Sequence, residues 1–166
     1  MKTHRWIAIL MTTLIAWAVQ AQETLLDQVT EAKADWMFGK WEATTGDGQT
    51  VAFQISWDLN KQVVVFHATM PETEFKSYTA FDKESRQAIY ISFDNRGSIT
   101  RGVWGMENDE LVLRVEAYDE QRGKWKMAAV FGGSSTEGLQ VRLHAIDSSG
   151  NTVSPARSTF KFKKQK

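Results

Sequence analysis

Val51-Ala52-Phe53-Gln54-Ile55-Ser56-Trp57-Asp58-Leu59-Asn60-Lys61 is the stretch that decides the fold. Its first part alternates bulky apolar residues with small or polar ones, and it ends in a turn led by an aspartate behind an aromatic. Successive side chains of a strand point to opposite faces, so Val51, Phe53, Ile55 and Trp57 share one side, and Ala52, Gln54 and Ser56 the other. The aromatic–Asp step returns at Phe81-Asp82, Phe93-Asp94 and Tyr118-Asp119, with Ile146-Asp147 as a variant. Asp at the head of a turn accepts a hydrogen bond from a backbone N–H two residues on, and Gly suits the fourth position of a type I turn. Asp94-Asn95-Arg96-Gly97 and Asp147-Ser148-Ser149-Gly150 have that form.

Between such turns the pattern predicts strands over 38–45, 49–57, 62–70, 75–82, 87–93, 98–104, 111–117, 125–131, 139–146 and 156–163. Leu111, Leu113 and Val115 oppose Val112, Arg114 and Glu116; Leu139, Val141 and Leu143 oppose Gln140, Arg142 and His144. One apolar face per strand points to a common interior. Pro71 and Pro155 fall between strands, where a missing N–H does least harm. The predicted architecture is all-β, an antiparallel up-and-down β-barrel of about 8–10 strands with a short N-terminal helix. That helix is expected over 24–36, because Leu25, Leu26, Val29, Ala32 and Trp36 recur at three- and four-residue steps.

The N-terminus reads as an export signal. Lys2 and Arg5 precede an apolar run from Trp6 to Val19, and Val19 and Ala21 are small residues at the peptidase positions, so cleavage is expected before Gln22. The run falls short of the roughly 20 apolar residues a membrane span needs. The expected organisation is a signal peptide over 1–21, a helical segment over 22–37 and one barrel domain over 38–166. The expected location is periplasmic or secreted. Strands of mostly seven to nine residues with compact turns argue against stable membrane insertion, since a spanning strand takes about 9–11. Without residues 1–21 the chain keeps 18 Lys and Arg against 20 Asp and Glu, a balance unlike that of a nucleic-acid binder. The basic run Lys161-Phe162-Lys163-Lys164-Gln165-Lys166 reads as a solvated strand end. With no cysteine there is no disulfide, thiolate nucleophile or thiolate metal site. No residue pattern specifies an oligomeric state.

Phe38-Gly39-Lys40-Trp41 resembles the Gly-x-Trp signature that opens the first strand of lipocalins and other calycins. The resemblance implies that Gly39 and Trp41 build the barrel floor, with an Arg of the final strand stacked on the Trp; Arg157 is the counterpart it points to, and Arg142 the fallback. A Thr-Asp-Tyr-type second motif is missing, with Tyr118-Asp119 its nearest echo. Residues 75–113 resemble secreted bacterial lipocalin-like (calycin-like) β-barrel domains, on Tyr78, Phe81-Asp82, Tyr90, Phe93-Asp94, Gly97, Gly102, Trp104, Leu111 and Leu113. Those families bring no established substrate, so the resemblance speaks to fold.

The residues that carry chemistry are sparse. His67 and His144 are the histidines left after export, with no acidic residue at ligand spacing, so no metal site is expected. Glu42 and Glu116 are the strand carboxylates open to acid–base work, which needs two carboxyls about 5–10 Å apart in one cleft; solvated strand faces account for them equally well. Ser134-Ser135 lacks the Gly-x-Ser-x-Gly setting, and Asp94 to Gly97 is too short for an EF-hand loop. No catalytic residue and no cofactor are assigned. Tyr78, Tyr90 and Trp104 fall on three successive strands, joined by Arg101. These four are the candidate ligand-binding residues of a barrel cavity, set against simple core filling. Gly102 allows a bulge or a close approach. The expected function is binding of a small, largely apolar or amphipathic molecule inside an exported soluble barrel. The alternatives are an interaction module with a filled barrel, or a hydrolase- or isomerase-type enzyme using the cavity.

Overall fold

The computed structural model describes residues 23–119, 123–134 and 136–166. The expected signal peptide, Glu120 and Ser135 lie outside the described residues. Ten strands follow one short helix: β1 (Gly39–Thr44), β2 (Thr50–Asp58), β3 (Val63–Thr69), β4 (Glu74–Asp82), β5 (Gln87–Asp94), β6 (Ile99–Glu107), β7 (Glu110–Asp119), β8 (Gly123–Ser134), β9 (Gly138–Ala145) and β10 (Ser158–Lys164). Each pairs antiparallel with its neighbours in sequence, and β1 pairs with β10 to close the barrel. The expected up-and-down barrel is therefore the observed architecture.

The expected strands are all present, but β6 and β8 run past their expected ends at 104 and 131, to Glu107 and Ser134. At β6 the cause is a two-residue link: Asn108 and Asp109 both adopt positive φ (49° and 63°), the conformation of a tight type I′ hairpin, so pairing continues to Glu107↔Glu110. At β8 the glycines 132 and 133 fall in the link between the strands expected over 125–131 and 139–146, yet they pair with Gln140 and Leu139. Gly133 sits at φ 115°, and a Cβ there would lie 2.1 Å from the Gly138 carbonyl oxygen. Only glycine lets the two backbones approach so closely.

The helix α1 covers Leu25–Glu31, shorter than the expected 24–36. Thr24 caps its start in a capping box with Asp27. Its end is a Schellman motif: Lys33 turns to φ 52°, the Lys33 N–H donates to the Thr30 carbonyl and the Ala34 N–H to that of Val29. The apolar spacing continues to Trp36, but the chain rewinds into a separate 3₁₀ turn at Asp35–Met37. Buried Leu25, with Val29 and Ala32, turns the helix toward the barrel core, over the end at which β1 starts.

The turn chemistry appears as read. Asp94 accepts hydrogen bonds from the backbone N–H groups of Arg96 and Ser98 at 3.0 and 2.8 Å, and Asp147 from those of Ser149 and Asn151 at 2.9 Å each. Gly97 and Gly150 occupy positive φ at the fourth positions. For Asp94, burial raises the carboxyl pKa, but the hydrogen bonds from Ser98 and Arg96 outweigh it and leave it below the ordinary carboxylate value. At Asp147 the Asn151 N–H leads the same lowering.

Candidate ligand cavity

Alternation decides which side chains face inward. Val51, Phe53 and Ile55 of β2, Leu111, Leu113 and Val115 of β7, and Val141 and Leu143 of β9 all line the interior, as their shared apolar faces require. They do not fill it. The barrel encloses a cavity of about 850 Å³. Residues of α1 line one end, and Met70, Thr73 and Ser98 from two strand links line the other.

Two of the four candidate ligand residues face this space. Tyr90 is 8% exposed, and burial drives its phenol pKa up against the nearby hydroxyls of Ser92 and Ser77. Trp104 donates its indole N–H to Thr79 Oγ1 at 3.0 Å and packs at a tilt on Phe131, ring centroids 5.1 Å apart. Tyr78 and Arg101 point the other way. On β4 it is Phe75, Ser77 and Thr79 that look inward, so Tyr78 projects outward and is 40% exposed. Arg101 stands between the inward Thr100 and the close-packed Gly102, exposed and opposite Ile91 and Glu116 on the outer surface. The signal that orients β4 was present: Tyr78 shares its face with Glu74 and Lys76, two charges that do not enter an apolar interior.

Gly102 makes the close approach its residue type allows. A Cβ there would lie 2.4 Å from the Arg114 carbonyl oxygen. The inward hydroxyls of Ser77, Thr79 and Ser92 carry no distinct signal in the sequence, since serine and threonine between aromatics read as ordinary strand residues.

The contacts around Trp41 differ from those the resemblance implies. Trp41 is 1% exposed and donates its indole N–H to the Met37 carbonyl at 2.7 Å, while Trp36 meets it edge-on, centroids 6.1 Å apart. The cation over the ring is Lys164, its Nζ 5.3 Å from the centroid and 3.0 Å from the Trp36 carbonyl oxygen. Arg157 does not reach Trp41. It precedes β10 at the opposite end of the barrel and is exposed, its backbone N–H donating to the Leu143 carbonyl at 2.7 Å. Arg142 instead pairs with Glu110 on the outside. Gly39, at φ 122°, leaves space for the Lys164 stem, which a Cβ would meet at 3.0 Å.

The remaining ionisable candidates do not converge. His67 bonds Glu74 at 2.6 Å on the outer face of β3 and β4. His144 Nδ1 lies 3.0 Å from the Val153 carbonyl oxygen, on β9. Glu42 stands beside Lys163 on the exterior, and Glu116 faces Lys124 and Lys126 at 3.9 Å each, so neither carboxylate enters the cavity. Comparison with protein-family models and with curated proteins returns no match for this chain.

Proposed function

We propose that this chain is an exported, soluble, lipocalin-like barrel that takes up a small, largely apolar molecule in its interior. One observation carries the reading: the space inside the barrel, about 850 Å³, is walled by aliphatic and aromatic side chains and left unfilled. Protein interiors otherwise pack to the density of organic crystals, and ligand cavities fall in the range of about 300–1,000 Å³. The Gly39–Trp41 floor supports the lipocalin-like part of the proposal, and the basic-then-apolar stretch from Lys2 to Val19 supports export. The enzyme alternative loses its proposed carboxylate pair, because Glu42 and Glu116 face outward.

The test is native mass spectrometry of the protein purified from its own host, joined to uptake of the neutral dye N-phenyl-1-naphthylamine. A co-purifying small molecule, or dye fluorescence that saturates at one per chain, is the expected result. Ala68→Trp, at a buried inward position of β3, is expected to weaken dye uptake at least tenfold by filling the cavity. Preparations that stay free of ligand and take up no dye overturn the proposal. Release of the protein by osmotic shock without detergent tests its export and solubility.

A second reading, the interaction module, draws on one feature of the outer wall. Tyr78, Phe93 and Ile99 are 40%, 44% and 39% exposed on adjacent strands β4, β5 and β6. Phe93→Lys distinguishes it: dye uptake is then retained while any concentration-dependent association seen by sedimentation is lost.

A further inference from the structure

The cavity wall has two chemical sides. Across β4, β5 and β6 its inward positions carry hydroxyls: Ser77, Thr79, Tyr90, Ser92 and Thr100. The register sets them side by side, with Ser77 opposite Ser92, Ser92 opposite Thr100, and Thr79 opposite Tyr90. Gly102, the partner of Tyr90 on its other flank, adds no side chain beside the ring. Ser77 is 1% exposed, and its Oγ makes no hydrogen bond among the described residues. The Tyr90 phenol stands near the side chains of both Ser77 and Ser92 without meeting Ser77 Oγ in hydrogen-bond geometry. A buried hydroxyl left unpaired is unfavourable, and a bound partner relieves it.

Among the described residues no cation reaches this band. The charged ones that line the cavity are Glu23, Glu31, Arg86, Asp94 and Asp109, all toward its ends, and Arg86 is bonded to Glu23 at 2.6 Å. Asp94 accepts from two backbone N–H groups, which favour its charged form and hold its pKa below the ordinary carboxylate value. A carboxylate or phosphate drawn to the centre of the barrel would lose its water without meeting a positive charge. It would also pass acidic groups on the way in. We infer that the cavity selects an apolar molecule whose buried polar group is neutral, a hydroxyl or carbonyl seated against Ser77, Tyr90 and Ser92, and disfavours anionic amphiphiles. This rests on the proposed uptake of an apolar ligand and narrows its chemical class.

Matched probes test it. Delipidated protein loaded with N-phenyl-1-naphthylamine at about pH 8, where a carboxylic acid is ionised, is titrated with 1-decanol and with decanoate. Decanol is expected to displace the dye at concentrations at least tenfold lower. Since the alcohol is also the less water-soluble of the two, the double variant Ser77→Ala, Ser92→Ala supplies the control. It is expected to narrow the advantage of decanol over decanoate roughly three- to tenfold, the range of one or two hydrogen bonds, with the affinity of the dye itself, whose N–H also reaches these hydroxyls, measured separately in each protein. Decanoate displacing as well as decanol, or a decanol advantage untouched in the double variant, overturns the neutral-group inference while dye uptake stands. Wild-type protein that takes up no dye overturns the cavity reading, and this inference with it.

Discussion

The β7–β8 wall and the β1–β10 seam are joined by the same kind of antiparallel pairing and held in very different ways. The wall runs through nine registered pairs, from Leu111↔Phe131 to Asp119↔Gly123. Around Val112 it is also buried on both faces. Leu113, Val115 and Ala129 pack inward, while on the outside Val112 and Ala128, each 0% exposed, join Val130 in a second cluster against Ile146. The long 146–157 link supplies that cover, anchored by the Ile146↔Thr152 bridge and by the Val153 N–H donating to the Ala145 carbonyl. The seam has two registered pairs, Trp41↔Lys164 and Glu42↔Lys163. Beyond them Ala43 and Thr44 pair with β2 alone and Phe162 and Lys161 with β9 alone, and a second, smaller cavity lies between the parted strands, bordered by Ala43, Gly46, Thr159 and Phe160. The wall is stabilised by nine pairs of register and by burial on both faces around Val112; the seam is stabilised at one end, by a Trp and a Lys.

That contrast yields a graded set of expectations. The largest effect belongs to Trp41→Ala. Truncating a buried Trp costs about 3–5 kcal/mol, and urea unfolding is expected to show a loss of that size. Hydrogen exchange sharpens the point: amides of Glu42 and Lys163 are expected to lose protection in the variant before those of Leu113 and Ala129. Equal loss in both regions would mean that seam and wall open as one unit. Val112→Ala comes next, at about 2 kcal/mol for methyl groups removed from a buried site. A negligible change in the urea midpoint would show that the outer cluster contributes little. The smallest effect is expected from Asp147→Asn, in the link that covers the wall. The pKa of Asp147 is depressed in the folded protein, so its contribution is present above the ordinary carboxylate value near about 4 and is lost as pH falls through the folded value. The variant is expected to melt slightly earlier than the wild type at neutral pH and together with it in strong acid. A gap in melting temperature that persists in acid would assign the effect to geometry instead of charge.

Most of the architecture was legible because strand alternation and turn chemistry are local signals. Val51 to Trp57 declares its inner face, and Asp94 and Asp147 mark their turns through their own side chains. The site was legible only in part. On β4 both faces carry aromatics, Phe75 and Phe81 on one and Tyr78 on the other, so hydrophobicity alone leaves the face undecided. The Lys164 contact depends on register: a final strand expected from 156 includes Arg157, but the strand begins at Ser158 and brings its last residue, not its first, to Trp41. The cavity itself is a matter of distance across the barrel, which no single strand encodes. Alternation says that Phe53, Tyr90 and Leu113 face inward; it does not say that they stop short of filling the interior.

The seam also sets the order in which this molecule can be finished. Nine of the ten pairings join successive strands and can form as hairpins along the chain, whereas Trp41 meets its partner only once residue 164 has arrived. Contacts so remote in sequence carry the largest loop-closure entropy and are slow to form. A curled sheet open along β1 and β10 is therefore the expected last stage before the native state, and Lys163 and Lys164 are the latch that ends it.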